Sequence, residues 1–134
     1  MIRKLSFAAV ALSATLLAAC GTGGGMHHHD KPSTPTQAAD GTLIGPDGRS
    51  LYFFSRDVQG SGVSACYDQC AVNWPPLAVA PNAKPQGDYA ILVRNDNTRQ
   101  WAYKGQPLYY FVKDTKPGEK LGDGVNGVWK LARP

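Results

Sequence analysis

Two cysteines, Cys66 and Cys70, stand four residues apart in the stretch SACYDQCAVNWPP. Two thiols at that spacing can close a disulfide, cycle as a redox pair, or contribute to a soft-metal site. If Ser64 starts a helical turn, the thiols lie one turn apart on one face, with Cα atoms about 6 Å apart, a separation a disulfide spans. The stretch is expected to make one or two turns over Ser64–Ala71, with Ser64 a favourable first-residue cap, and to stop at NWPP because Pro75 biases Trp74 away from helix. A Cu(I) or Zn site would need more ligands, and from residue 42 onward there is no histidine and no methionine. A structural disulfide between Cys66 and Cys70 is the first expectation. A strained, reducible bridge is the second.

Other candidate groups are His27, His28 and His29, followed by Asp30. Adjacent imidazoles beside a carboxylate can chelate Cu, Ni or Zn. A real site needs ligands held by surrounding hydrogen bonds, and these sit in a Gly-, Pro-, Ser- and Thr-rich stretch, Gly21–Asp40, that fixes nothing. Adventitious metal binding at most is expected, and no cofactor is predicted. Asp57 and Asp114 could form a carboxylate pair for a cation or for catalysis. Each falls three residues after a matching phenylalanine. Their recurrence at the same place favours a turn-capping aspartate that accepts backbone N–H groups. A hydrolase is the weakest class: residues 42–134 carry no histidine to act as general base and no Gly-x-Ser-x-Gly elbow.

These residues are placed by a repeat. GRSLYFFSRD, from Gly48, recurs as GQPLYYFVKD from Gly105, a constant shift of 57 residues. Tyr52 matches Tyr109, Phe54 matches Phe111, and Asp57 matches Asp114. Upstream, GTLIGPDG plays the part of RQWAYKGQ, so each copy reads as a strand, a tight turn and a second strand. Downstream, each copy reaches a tryptophan, Trp74 or Trp129, after loops that differ by two residues. Side chains alternate along a strand, so Leu51 and Phe53 share one face and Tyr52 and Phe54 the other. Such a strand is covered on both sides or lies face to face with its twin. One hairpin alone is marginal in water. The expected fold is therefore mainly β: a small single domain of two tandem β-hairpin or meander repeats in pseudo-twofold relation, with one short helix near the cysteine pair. The repeats span about 42–80 and 97–134.

Ahead of the domain, Arg3 and Lys4 precede an apolar run, Leu5 to Leu17, that is too short for the roughly 20 residues of a spanning helix. Residues 1–19 read as a secretory signal. Leu17-Ala18-Ala19-Cys20 resembles the bacterial lipobox, which implies that Cys20 is acylated and becomes the mature N-terminus. Stable anchoring needs more than one acyl chain, and the diacylglyceryl and N-acyl groups the resemblance implies meet that need. Gly21 after the cysteine resembles outer-membrane sorting in bacteria with two membranes. Residues 20–41 are read as the lipidated cysteine and a flexible tether, and residues 42–134 as the folded domain. Removing Arg3 and Lys4 lowers the formal charge from +4 to +2. No basic cluster remains, so nucleic-acid binding has no support.

Tyr52-Phe53-Phe54-Ser55-Arg56-Asp57 and Tyr109-Tyr110-Phe111-Val112-Lys113-Asp114, together with CYDQCAVNWPPL, DTKPGEKLGDG and GVWKL, resemble a family of predicted bacterial lipoproteins with a Yx(FWY)xxD motif, also described as a secreted repeat of unknown function. The resemblance runs from about Gly41 to Trp129. It implies tandem repeats on secreted lipoproteins and no catalytic residues. The expected function is a non-enzymatic cell-envelope domain, lipid-anchored outside the cytoplasm, with a binding or structural role toward an envelope protein or glycan. A metal-binding or thiol-redox accessory role is the alternative.

Overall fold

A computed structural model describes residues 34–134. The expected leader, Cys20, His27, His28, His29 and most of the expected tether lie outside the described residues.

The elements are short: β1 (Thr36–Gln37), β2 (Leu43–Ile44), β3 (Tyr52–Phe54), α1 (Gln69–Asn73), β4 (Tyr89–Val93), β5 (Arg99–Tyr103), β6 (Gln106–Pro107) and β7 (Trp129–Leu131). They form small antiparallel sheets, β1–β2, β3–β7 and β4–β5–β6. The domain is mainly β with one short helix, as the sequence predicts. β1 lies ahead of the start expected at Thr42, and the Asp40 carboxylate caps its turn by accepting the Thr42 N–H at 2.9 Å.

Both predicted hairpins form, with different turns. In the second copy Lys104 and Gly105 join β5 to β6, with φ of 48° and 83°. Two positive φ values in a two-residue loop match the twist of the flanking strands, and Gly105 takes its share without steric strain. In the first copy Gly45-Pro46-Asp47-Gly48-Arg49 makes a looser turn, closed by the Gly45 N–H on the Arg49 carbonyl at 3.0 Å.

Each hairpin is completed by the tail of the other copy. Leu51 donates to Leu43, Leu43 to Ala132, and Ala132 back to Leu51, with N···O distances of 3.0, 2.9 and 2.8 Å. Leu108, Trp101 and Leu77 close the matching ring, each bond 3.0 Å long. Ala132 lies at the end of the second copy, whereas Leu77 lies at the end of the first, so the final strands are exchanged. Between the two rings, Tyr52 and Tyr109 exchange both backbone hydrogen bonds, at 2.8 and 3.1 Å. This antiparallel pair sits where a pseudo-twofold axis must pass. The copies therefore meet edge to edge, and both faces of each motif strand are covered.

The alternation read from the sequence sorts the core. Leu51, Phe53 and Leu108 pack with Leu43, Leu77 and Trp101 on one face. Tyr52, Phe54, Tyr109 and Phe111 pack with Trp74 and Trp129 on the other.

The helix departs from expectation. It starts at Gln69, not at Ser64. The Ser64 hydroxyl is spent on a local turn, where it accepts the Cys66 N–H at 3.1 Å, and on a buried network described below. Asp68 (φ 53°, ψ −123°) then takes a conformation no helix contains, within a turn closed by the Cys70 N–H on the Tyr67 carbonyl. Cys66 thus precedes the helix and Cys70 lies inside it. The helix ends at Asn73, where Pro75 predicted.

Gly122 carries a packing prediction. A Cβ there would lie 2.8 Å from the Trp74 ring and 3.0 Å from the Tyr52 ring. Trp74 is clamped between two other rings and cannot give way. Overpacking of this kind costs about 1–3 kcal/mol. Thermal unfolding of Gly122→Ala should show a midpoint lower by roughly 10 °C; an unchanged midpoint would refute the packing.

Candidate functional site

The two motif strands place their tyrosines side by side, and the turns after them bring the aspartates around. The Tyr52 hydroxyl donates to Asp114 Oδ2 at 2.6 Å, and the Tyr109 hydroxyl donates to Asp57 Oδ2 at 2.7 Å. Each tyrosine is therefore bound to the aspartate of the other copy. The second oxygen of each carboxylate caps a loop: Asp57 Oδ1 accepts the Ala65 N–H at 2.7 Å, and Asp114 Oδ1 accepts the Leu121 N–H at 2.9 Å. Loop capping is the role the sequence favours, and the cross-copy phenol is an addition it does not reveal. Each carboxylate is engaged by the tyrosine of the other copy and by its own loop, so the two do not form a shared acid–base pair.

The surroundings of the two pairs differ. Tyr52 Oη accepts the Gly122 N–H at 3.1 Å. Tyr109 Oη lies 2.6 Å from Ser64 Oγ. Because the phenol proton points to Asp57, Ser64 must supply the proton of that second bond. Ser64 in turn accepts from Arg94 Nη1 at 3.0 Å, and the same nitrogen donates to Gln100 Oε1 at 2.7 Å. Arg94 also donates to the Cys66 carbonyl. Arg94 is only 5% exposed and has no direct ion pair among the described residues. Its charge is balanced through Ser64 and Tyr109 toward Asp57, a chain ordered by one donor direction. Arg94 and Gln100 are not singled out by the sequence, which reads Ser64 only as a helix cap. The available hint is a lone arginine closing the apolar run YAILV.

Burial pushes both phenols well above the ordinary tyrosine range. Burial also raises Asp57, against the lowering effect of the Ala65 N–H, the Tyr109 hydroxyl and Arg94.

Around the tyrosines the rings form one stack, Phe54–Trp129–Trp74–Phe111, with centroid separations of 4.3, 3.8 and 4.1 Å in order. Tyr52 meets Trp74 edge-on at 5.4 Å, and Tyr109 meets Trp129 edge-on at 5.2 Å. Edge-to-face and offset-stacked contacts are the favoured aromatic geometries. The motif residues Tyr52, Phe54, Asp57, Tyr109, Phe111 and Asp114 are thus brought together as one bracing unit.

Cys66 and Cys70 form a disulfide with Cα atoms 5.3 Å apart. It closes the short turn that follows Ser64. Cys66 is buried and Cys70 half-buried. Among the described residues no group of three or more His, Cys, Asp or Glu side chains is placed to hold a metal ion.

A tandem β-repeat domain, with swapped tails and recurrent polar residues bound across the two copies, is the class that this geometry defines. A family model, Lipoprotein_15, described as a secreted repeat of unknown function, matches residues 34–78 and 90–133. The chain belongs to that family, and the two matched spans are its two copies. No curated protein and no solved structure matches the chain.

Two predictions arise here. Asp57 is raised on folding, so the folded state binds its proton more readily than the unfolded chain does. Its contribution to stability therefore grows as pH falls through its folded pKa. Asp40 and Glu119 are lowered, first by the backbone N–H groups of Thr42 and Thr115, and their contributions are lost as pH falls through their folded values. Carboxyl carbon chemical shifts should show Asp57 protonating before Asp40 on acidification; simultaneous titration of the two would contradict the burial of Asp57. Separately, Asp68→Gly removes a non-glycine residue from positive φ and should stabilise the fold by about 1 kcal/mol, read as a higher denaturant midpoint at unchanged m-value.

Proposed function

We propose that the chain is a lipid-anchored bacterial envelope protein, cleaved before Cys20 and acylated there, whose folded part is a non-enzymatic binding module held off the membrane by the segment before Thr34. The observation that carries this reading is the reciprocal Tyr–Asp arrangement. It assigns a bracing role to the recurrent acids, the residues a catalytic reading would need. A rigid frame with free loops suits recognition of an envelope protein or glycan. The family description, a secreted repeat, agrees with a location outside the cytoplasm.

A thiol-redox role is a second reading. It is favoured by Cys70, which is half-buried and lines an open groove while its partner is buried. Under that reading the bridge would open in a mild glutathione buffer. Under the binding-module reading it stays closed.

Metabolic labelling with a tagged fatty acid tests the anchor. The wild-type chain should carry label and partition with membranes, and Cys20→Ala should lose both. A mature wild-type chain whose mass shows an unmodified Cys20 would end the lipoprotein reading.

A further inference from the structure

An open groove of about 520 Å³ runs across the aromatic stack where the two copies join. Asn73 and Trp74 of the first copy line it beside Val128 and Trp129, their counterparts in the second, so it lies over the pseudo-twofold junction. We propose that this groove binds a carboxylate-bearing sugar of an acidic glycan. The proposal rests on the binding-module reading and names its ligand class.

The lining offers donors. Arg56 is its sole ionisable residue. That side chain is exposed and makes no hydrogen bond or ion pair among the described residues. The acid next to it does not neutralise it by contact, because both Asp57 oxygens are held by Ala65 and Tyr109. Trp74 and Trp129 are 5% and 4% exposed. Their indole N–H groups make no hydrogen bond among the described residues, yet unlike that of Trp101 they are not sealed from water. Asn126 adds a free amide, and the Asn73 amide nitrogen is unused because its oxygen takes the weak 3.5 Å contact from Gln69.

A guanidinium with several N–H donors and no acid suits a carboxylate, which arginine can meet with two parallel bonds. The amides suit the hydroxyls of the same sugar. Recognition by ring stacking is closed off, because each indole already has a ring against both faces. Only the indole edges and N–H groups remain to a ligand, which favours polar over apolar occupants. Lys113, exposed, holds the Arg56 place in the second copy, so both motifs carry a cation just before the capping aspartate.

The test titrates the detergent-solubilised mature protein with oligogalacturonate, a neutral galactose oligomer of equal length, and acetate. Tryptophan emission and calorimetry are the readouts. The acidic oligomer should bind saturably, with the neutral one at least about tenfold weaker, as loss of a charge-assisted bond predicts. Arg56→Ala should weaken the acidic oligomer by a similar factor, and Asn126→Ala by less, both with an unchanged near-UV spectrum. Acetate binding as tightly as the oligomer would overturn the glycan assignment. So would an Arg56→Ala titration identical to wild type. Retention of wild type and Arg56→Ala on isolated envelope material with equal strength would overturn the groove while leaving the binding-module reading intact. No retention of either would overturn both.

Discussion

The hydrogen bond between each motif tyrosine and the aspartate of the other copy is the constraint on which the rest of the domain depends. A carboxylate inside a protein must find donors or lose several kcal/mol. Asp114 is 1% exposed and finds two, a backbone N–H from its own loop and a phenol from the opposite strand. Asp57 is satisfied the same way. A bond within one copy would have stabilised that copy alone. A bond across copies makes each loop's closure conditional on the presence of the other strand. The swapped tail strands impose the same condition on the backbone, since Ala132 completes the first hairpin and Leu77 the second. Two units of about forty residues, each too small for a core of its own, are thereby made into one.

The exchange also decides where the tryptophans go. With Tyr52 and Tyr109 paired through their backbones at the axis, their rings point to one face and leave a slot beside them. Trp74 and Trp129 arrive from the two tails and fill that slot face to face, with interplanar angle 5°. Phe54 and Phe111 close the stack at its ends. The indole faces are therefore structural and the indole edges remain for solvent or ligand. Gly122 is part of the same arrangement: its backbone N–H reaches Tyr52 Oη only because nothing projects from its Cα against the Trp74 ring.

Much of this is legible in the sequence, and the illegible part has a physical pattern. The period-2 alternation in LYFF and LYYF correctly separates the two core faces, because alternation is a property of the strand itself. The 57-residue shift gives the repeat, and the two-residue difference before the tryptophans gives the longer first loop. The disulfide at Cys66 and Cys70 is visible from spacing and from the absence of other metal ligands. What the sequence does not display is which copy satisfies which. Tyr52 could bond Asp57 or Asp114 as far as pattern goes, and only the antiparallel pairing at the axis selects the distant partner. The helix start is misplaced for a related reason: Ser64 has the chemistry of a helix cap, but its hydroxyl is drawn into a tertiary bond with Tyr109. Arg94 is invisible because a single buried cation has no period.

The two copies are not equal, and the inequality points to where function can reside. In the second copy a backbone N–H, that of Gly122, completes the tyrosine's hydrogen bonding. In the first, the Ser64 side chain does so for Tyr109, and Arg94 of the second copy donates to Ser64 in turn. A backbone donor comes with the fold whatever the side chain. A side-chain network has to be built, and the longer first loop delivers Ser64 to it just ahead of the Cys66–Cys70 bridge. The frame is the same in both halves, so this added construction is not required by the frame itself. It does make the first copy's rim more rigid than a bare loop of that length. The loop so held carries Ala65 and Cys70 to the edge of the groove that Arg56 overlooks. A side-chain network on one side of a near-symmetric junction, against a single backbone donor on the other, makes the two halves of a twofold scaffold chemically unequal.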